Sequence, residues 1–286
     1  MVDKEKMAIA RLQDAARLSE HRYKMPLMVT YSGGKDSQVL VALAERAGIN
    51  FEVVNSHTTA DAPETVYFIR KQFYEMEQRG IKCSIVMPRY KDKPVSMWTL
   101  IPQKLMPPTR TVRYCCDILK ENTGRNRFIA TGVRWAESTR RKNNRGIMEL
   151  MNCDKEKRII LMGDNDEKRQ LFETCNLKGK MTVNPIVDWL DSDVWDYTHS
   201  EHLPINPLYC EGWRRVGCVG CPMAGGGGVN SSLDGRNMRS FILQHLTECF
   251  MNALKRAFQA QLFGEESQPA KNYFTGGWRT IFFPGK

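Results

Sequence analysis

Residues whose types and spacing suit anion chemistry gather first in Ser32-Gly33-Gly34-Lys35-Asp36-Ser37. Adjacent glycines let the backbone turn sharply and approach a ligand closely. Lys35 brings a point charge and Ser32 and Ser37 bring hydroxyls, while N–H groups at the start of a helix surround an anion. These are the parts of a phosphate cradle. It is not a Walker A loop, because Val29 stands where G-x-x-x-x-G-K-S/T has its first glycine. The bland alternative is a Gly-Gly turn capped by Asp36 or Ser37, and the strand and helix patterns on either side argue against it.

A second set is made of thiols: the tandem pair Cys115-Cys116 and, far along the chain, Cys218-Val219-Gly220-Cys221. Four thiolates brought together hold either a structural zinc or an iron–sulfur cluster. An adjacent pair is awkward for a zinc knuckle and acceptable to a larger cluster. On spacing alone, a redox or buried CxxC with an unrelated cysteine pair is an equal alternative. A third set, Arg134, Glu137, Ser138, Arg140 and Arg141, follows an apolar run. Bidentate phosphate contacts are expected there, with surface charge as the alternative.

The elements that must position these groups follow from periodicity. Leu27-Met28-Val29 reads as a strand and Val39 to Leu43 as the helix after the loop. Phe51 to Val54, Cys83 to Val86 and Phe128 to Val133 read as further strands, with a helix beginning at Pro63. Ile159 to Met162 and Met181 to Val183 read as late strands, and Asp191 begins a helix. An amphipathic helix over residues 4–24 precedes the first strand. Cys115 begins another helix, residues 134–146 read as a basic loop, and Pro88 to Pro108 reads as an excursion outside the core. Alternating strands and helices with short links predict an α/β fold with a doubly wound, mostly parallel sheet. Ligands bind such sheets at the carboxyl ends of the strands.

The chain has 286 residues, nine cysteines and a formal net charge of +10. That charge suits polyanionic partners: nucleotides first, nucleic acid as a further possibility. No apolar run at the start is long enough for a signal peptide and no segment is built to span a bilayer, so a cytoplasmic location without membrane contact is expected. Cysteines in that compartment are metal ligands, reactive thiols or core residues rather than disulfides.

The hexapeptide at Ser32 resembles the PP-loop of the ATP pyrophosphatase superfamily. Further motifs resemble the phosphoadenosine phosphosulfate (PAPS) reductase family, including the adenylyl sulfate (APS) reductases that carry a 4Fe–4S cluster. They are Asp61-Ala62-Pro63-Glu64-Thr65, Gly132 to Arg141 as G-x-R-x-x-E-S-x-x-R, Asn184 to Trp189 with Asp193-Val194-Trp195, Asn206 to Tyr209, and the cysteines. The resemblance implies the adenine nucleotide α-hydrolase-like PP-loop fold. It implies ATP or an adenylyl sulfate nucleotide held by Ser32, Gly33, Gly34, Lys35, Asp36, Ser37, Gly132 and Arg134. Lys35, Asp36, Arg134, Arg140 and Arg141 are the implied catalytic residues, Arg141 ahead of Arg140 by the motif's spacing, with Glu137 orienting the arginines. Cys115, Cys116, Cys218 and Cys221 are the implied cluster ligands, with Cys210 in reserve, and Mg2+ the implied metal.

The family's reductases use a cysteine on a mobile tail as nucleophile. The stretch Gly277 to Lys286 has none, and Cys249 lies beside Leu246 and Ala253 at helical spacing, a buried position. The expected activity is therefore ATP pyrophosphatase chemistry in sulfur transfer, as in the DNA phosphorothioation branch. The alternatives are a PAPS or APS reductase using an external thiol, and a non-catalytic nucleotide- or nucleic-acid-binding subunit. A sulfur donor or thiol reductant protein is the implied partner. The expected layout is an N-terminal helix over 1–25, a PP-loop domain with the cysteine site over 26–223, and a Gly-rich linker with a helical C-terminal extension over 224–286. Trp189 and Trp195 are read as core aromatics, His57 as a loop histidine, and Asp188 as a cap or salt-bridge partner.

Overall fold

A computed structural model describes residues 2–109, 111–121, 123, 124, 126–151, 159–166, 180–218 and 221. The expected glycine tract, the C-terminal helix and Cys249 lie outside these residues. Among the described residues no helix is long and apolar enough to cross a membrane.

In chain order the elements are α1 (Val2–Tyr23), β1 (Leu27–Thr30), α2 (Lys35–Arg46), β2 (Phe51–Ser56), α3 (Pro63–Gln78), β3 (Lys82–Val86), β4 (Arg89–Tyr90), β5 (Lys93–Pro94) and α4 (Met97–Lys104). Then follow α5 (Tyr114–Cys116), running into a π-helical turn over Asp117–Glu121, β6 (Phe128–Ala130), a 3-10 turn (Trp135–Glu137), α6 (Thr139–Asn144), β7 (Met148–Met151), β8 (Ile159–Leu161), β9 (Lys180–Val183), α7 (Asp191–Ser200) and α8 (Pro207–Cys210).

One seven-stranded sheet, ordered β3-β2-β1-β6-β9-β7-β8, carries the fold. The first five strands run parallel, and β7 and β8 close the edge antiparallel. The central strands β1, β6 and β9 are mostly apolar, as suits strands covered on both faces: Leu27, Val29, Phe128, Ala130, Met181 and Val183 are fully buried. Each large side chain among them contributes about 1.5–3 kcal/mol relative to exposure. Helix α1 lies against β1, β6 and β9, with Ala8, Leu12 and Ala15 in the same core. Arg11 fastens it there: the guanidinium donates to Asp164 at 2.9 and 2.8 Å and to Asp188 at 2.9 and 3.0 Å. Asp188 is thus a salt-bridge partner.

The structure corrects two expectations and adds one strand. The Pro88 to Pro108 stretch is not an excursion: β4 and β5 pair, and α4 buries Leu100 and Ile101 in a second, smaller core with Tyr114, Ile118 and Leu119. Proline spacing hid a helix in which Pro102 sits near the end, after a Ser96–Thr99 capping box. The basic stretch 134–146 is ordered as the 3-10 turn and α6, started by the Ser138 hydroxyl accepting from the Arg141 N–H. The added strand is β7, whose buried Glu149 breaks the apolar run that would mark it in the sequence; that carboxylate is satisfied by Arg145, the Gly146 N–H and Asn184.

Candidate functional site

The parallel strands leave β1 and β6 adjacent at the point where the chain changes direction across the sheet, and their carboxyl ends carry the loop and Gly132. Such a switch point opens a crevice for ligands. After β1, Tyr31 is anchored by its N–H to the Val54 carbonyl at 2.9 Å. Gly33 then takes φ +72, and a Cβ there would lie 2.9 Å from the Ile69 side chain. Glycine is required on both counts. The Ser37 hydroxyl donates to the Gly34 carbonyl at 2.8 Å and accepts from the Ser32 N–H at 3.2 Å, drawing the loop over the first turn of α2.

Residues of and just before α8 hold the loop from behind. Asn206 donates to the Gly33 carbonyl at 3.0 Å and to the Thr65 hydroxyl at 3.2 Å. The Lys35 N–H donates to the Tyr209 hydroxyl at 3.1 Å, and Tyr209 meets the edge of Trp195 with centroids 5.3 Å apart. Trp189 is wholly buried, whereas Trp195 is half-buried beside the loop, 6.0 Å from the Lys35 ammonium.

Four charges meet at the mouth of the loop. Arg134, 3% exposed, donates from Nε to Asp36 Oδ1 at 2.7 Å, and its Nη2 lies 2.9 Å from Asp191 Oδ1. Lys35, 8% exposed, places Nζ 2.9 Å from the same Asp191 oxygen and 3.4 Å from Asp36 Oδ2. Burial alone would raise the Asp191 carboxyl, but the Lys35 and Arg134 cations hold it below its ordinary value. A Cβ on Gly132 would stand 3.1 Å from the Asp36 backbone carbonyl, so glycine lets the end of β6 close on the start of α2. Asp191 had read only as the first residue of a helix, one acidic side chain of several suited to a helix N-terminus.

The other arginines divide. Arg141 pairs with Glu137, which also accepts from the Arg134 N–H at 3.2 Å and faces Arg215 at 3.8 Å. Burial, with the nearby Arg215 and Arg145 cations, lowers the Arg141 pKa despite Glu137. Arg140 is exposed on α6, its carbonyl accepting from Asn144.

Cys115 and Cys116 lie in α5, and Cys218 lies against Asp61, beyond the end of β2. Cys115 and Cys218 border the smaller core. Burial, then the neighbouring Cys116 and Cys218, pushes the Cys115 thiol up to about 11. Cys218 bridges to Asp61, and its thiol donates to the Thr58 hydroxyl at 3.5 Å while Lys120 also reaches it. Arg113 donates to the Cys116 sulfur at 3.0 Å. The Cys221 N–H donates to the Cys218 carbonyl at 3.3 Å. Cys210 is exposed on α8. Among the described residues no three His, Cys, Asp or Glu side chains are gathered to hold a metal ion. His57, at the end of β2, is half-buried, and burial lowers its pKa.

Comparison with known proteins gives one family model, described as phosphoadenosine phosphosulfate reductase domain, matching residues 26–224. An adenosine 5'-phosphosulfate reductase of Bacillus cereus (strain Q1) is 25% identical over 239 residues, covering 82% of this chain and 87% of its own. An uncharacterized protein of Methanocaldococcus jannaschii is 28% identical over 220 residues, covering 73% of this chain and 38% of its own. The chain therefore spans less than half the length of that relative. Among solved structures, a phosphoadenylyl-sulfate reductase from Candida auris aligns at 14% identity and TM-score 0.46, covering 72% of this chain and 87% of its own. A U34-tRNA thiolase from Methanococcus maripaludis with its 4Fe-4S cluster aligns at 16% identity and TM-score 0.39, covering 94% and 84%.

Proposed function

The chain belongs to the phosphoadenosine phosphosulfate reductase domain family, and from that premise we propose that it is a PP-loop enzyme that splits ATP to pyrophosphate in a sulfur-transfer reaction. Residues 26–223 form the catalytic unit in this reading. The observation that carries it is the convergence of the buried Lys35 and Arg134 cations with the N-terminus of α2 at the sheet's switch point. Fixed cations and N–H groups in that position stabilise charge as it develops on a leaving phosphate.

The step has a simple balance. A nucleophilic oxygen of the acceptor attacks the α-phosphorus and the bond to the α–β bridging oxygen breaks. The electron pair leaves with pyrophosphate, so the acceptor is adenylylated and carries a good leaving group for a sulfur nucleophile. Lys35, Arg134 and the loop N–H groups would hold the departing phosphates, and Mg2+, when bound with the nucleotide, would supply further charge neutralisation. Asp36 holds Lys35 and Arg134 in place.

Cys115, Cys116, Cys218 and Cys221 are the residues that would hold a 4Fe–4S cluster. Two features support this reading, Cys115 and Cys218 bordering one apolar cluster and Arg113 and Lys120 standing by the sulfurs to offset thiolate charge, while among the described residues the sulfurs are not gathered as a ligand set. When bound, such a group supplies a site for sulfur ligation or electron transfer. A reducing, cytoplasmic compartment suits the nine cysteines.

The similarity to an adenosine 5'-phosphosulfate reductase over most of both chains supports a second reading, reduction of a sulfonucleotide by an external thiol. Anaerobic product analysis separates the two. Pyrophosphate release from ATP supports the first. Sulfite from APS or PAPS with added thiol, and no turnover of ATP, replaces it with the second.

A further inference from the structure

Lys35 and Arg134 are both buried, and two carboxylates match their two charges. Those carboxylates are held differently. Asp36 belongs to the first turn of α2, next in sequence to Lys35 and packed against Gly132, with its two oxygens divided between the two cations. Asp191 comes from another element, the first residue of α7, and its side chain is 64% exposed. A single oxygen, Oδ1, receives both Lys35 Nζ and Arg134 Nη2 at 2.9 Å. One anionic oxygen shared by an ammonium and a guanidinium at the end of the loop is the arrangement that a non-bridging phosphate oxygen makes.

We infer that Asp191 is a displaceable internal anion: it occupies the place of a nucleotide phosphate oxygen in the free protein and swings out to water when phosphate arrives. This rests on the nucleotide-binding reading above. The exchange leaves Lys35 and Arg134 with an anionic partner both before and after ligand entry, so neither is buried without a counter-charge. Asp191 can leave because most of its side chain already faces solvent, whereas Asp36 stays to keep the cations aimed. Phosphate affinity is correspondingly lowered by the contacts given up, which favours release of pyrophosphate once it has formed.

The test is the binding of pyrophosphate and of ATP, measured by titration calorimetry without turnover, for the wild-type chain and for Asp191→Asn and Asp191→Ser. Removing the competing charge should tighten pyrophosphate binding on the order of tenfold, the equivalent of one charge-assisted contact no longer lost. Asp191→Glu, which restores an anion, should return it toward wild type. A merely structural residue would give weaker binding in every variant. Pyrophosphate affinity that is unchanged or weaker in both the Asn and Ser variants overturns the inference while leaving the nucleotide reading intact. If none of the proteins binds ATP or pyrophosphate, both fall together.

Discussion

At the scale of single residues, the site depends on charges whose partners are named by geometry rather than by motif. Lys35→Ala removes the cation proposed to face the departing phosphates and leaves Asp36 and Asp191 with Arg134 alone. Pyrophosphate release from ATP should fall at least about 100-fold, the usual scale for losing a preorganised donor, with the circular dichroism spectrum unchanged. The thiols give a separate outcome. Anaerobically purified protein should carry about four irons per chain, the content of a 4Fe–4S centre. Cys218→Ser or Cys221→Ser should lose the iron, and the exposed Cys210→Ser should keep it. Zinc in stoichiometric amount without iron or sulfide would remove the cluster from the proposal.

At the scale of elements, the strand–loop–helix unit stands or falls on Gly33. Gly33→Ala puts a side chain at φ +72 and drives its Cβ against Ile69. The left-handed backbone alone costs about 1–2 kcal/mol. The variant should melt at a lower temperature and bind ATP more weakly, since the loop must shift to relieve the contact. This unit was readable in the sequence because its signals are local: an apolar run, paired glycines, then helical periodicity. The parallel order was readable for the same reason. The hairpin and α4 were not, because Pro94 and Pro102 mask short elements stabilised by the smaller core. Nor was the role of Asp191, whose partners are 156 and 57 positions away in Lys35 and Arg134. Asn206 and Tyr209 stood out as a motif, but only the fold shows that they clamp the loop.

At the scale of the whole molecule, acid stability should report on buried carboxylates in the sheet. Glu52 lies buried on β2 with Arg127 at 2.7 Å and Lys82 at 3.1 Å. Burial alone would raise its pKa, but the two cations hold it below the ordinary 4.5. A carboxyl lowered on folding stabilises fully above its ordinary value and loses that contribution as pH falls through the folded value. Melting temperature should therefore drop between pH 4.5 and the acid limit, and Glu52→Gln should start lower at neutral pH and show a shallower drop.

The segment that clamps the Gly33-Gly34 loop through Asn206 and Tyr209 runs on directly to Cys218, which bridges to Asp61 just ahead of α3. One short length of backbone thus takes part in both places, and its free energy of ordering is common property. Reciprocity follows: whatever factor cluster occupancy applies to nucleotide affinity, nucleotide must apply to cluster retention. ATP should slow the removal of iron by a chelator, and Tyr209→Phe, which deletes the hydroxyl that meets Lys35, should shrink that protection while leaving the iron content of the purified protein unchanged.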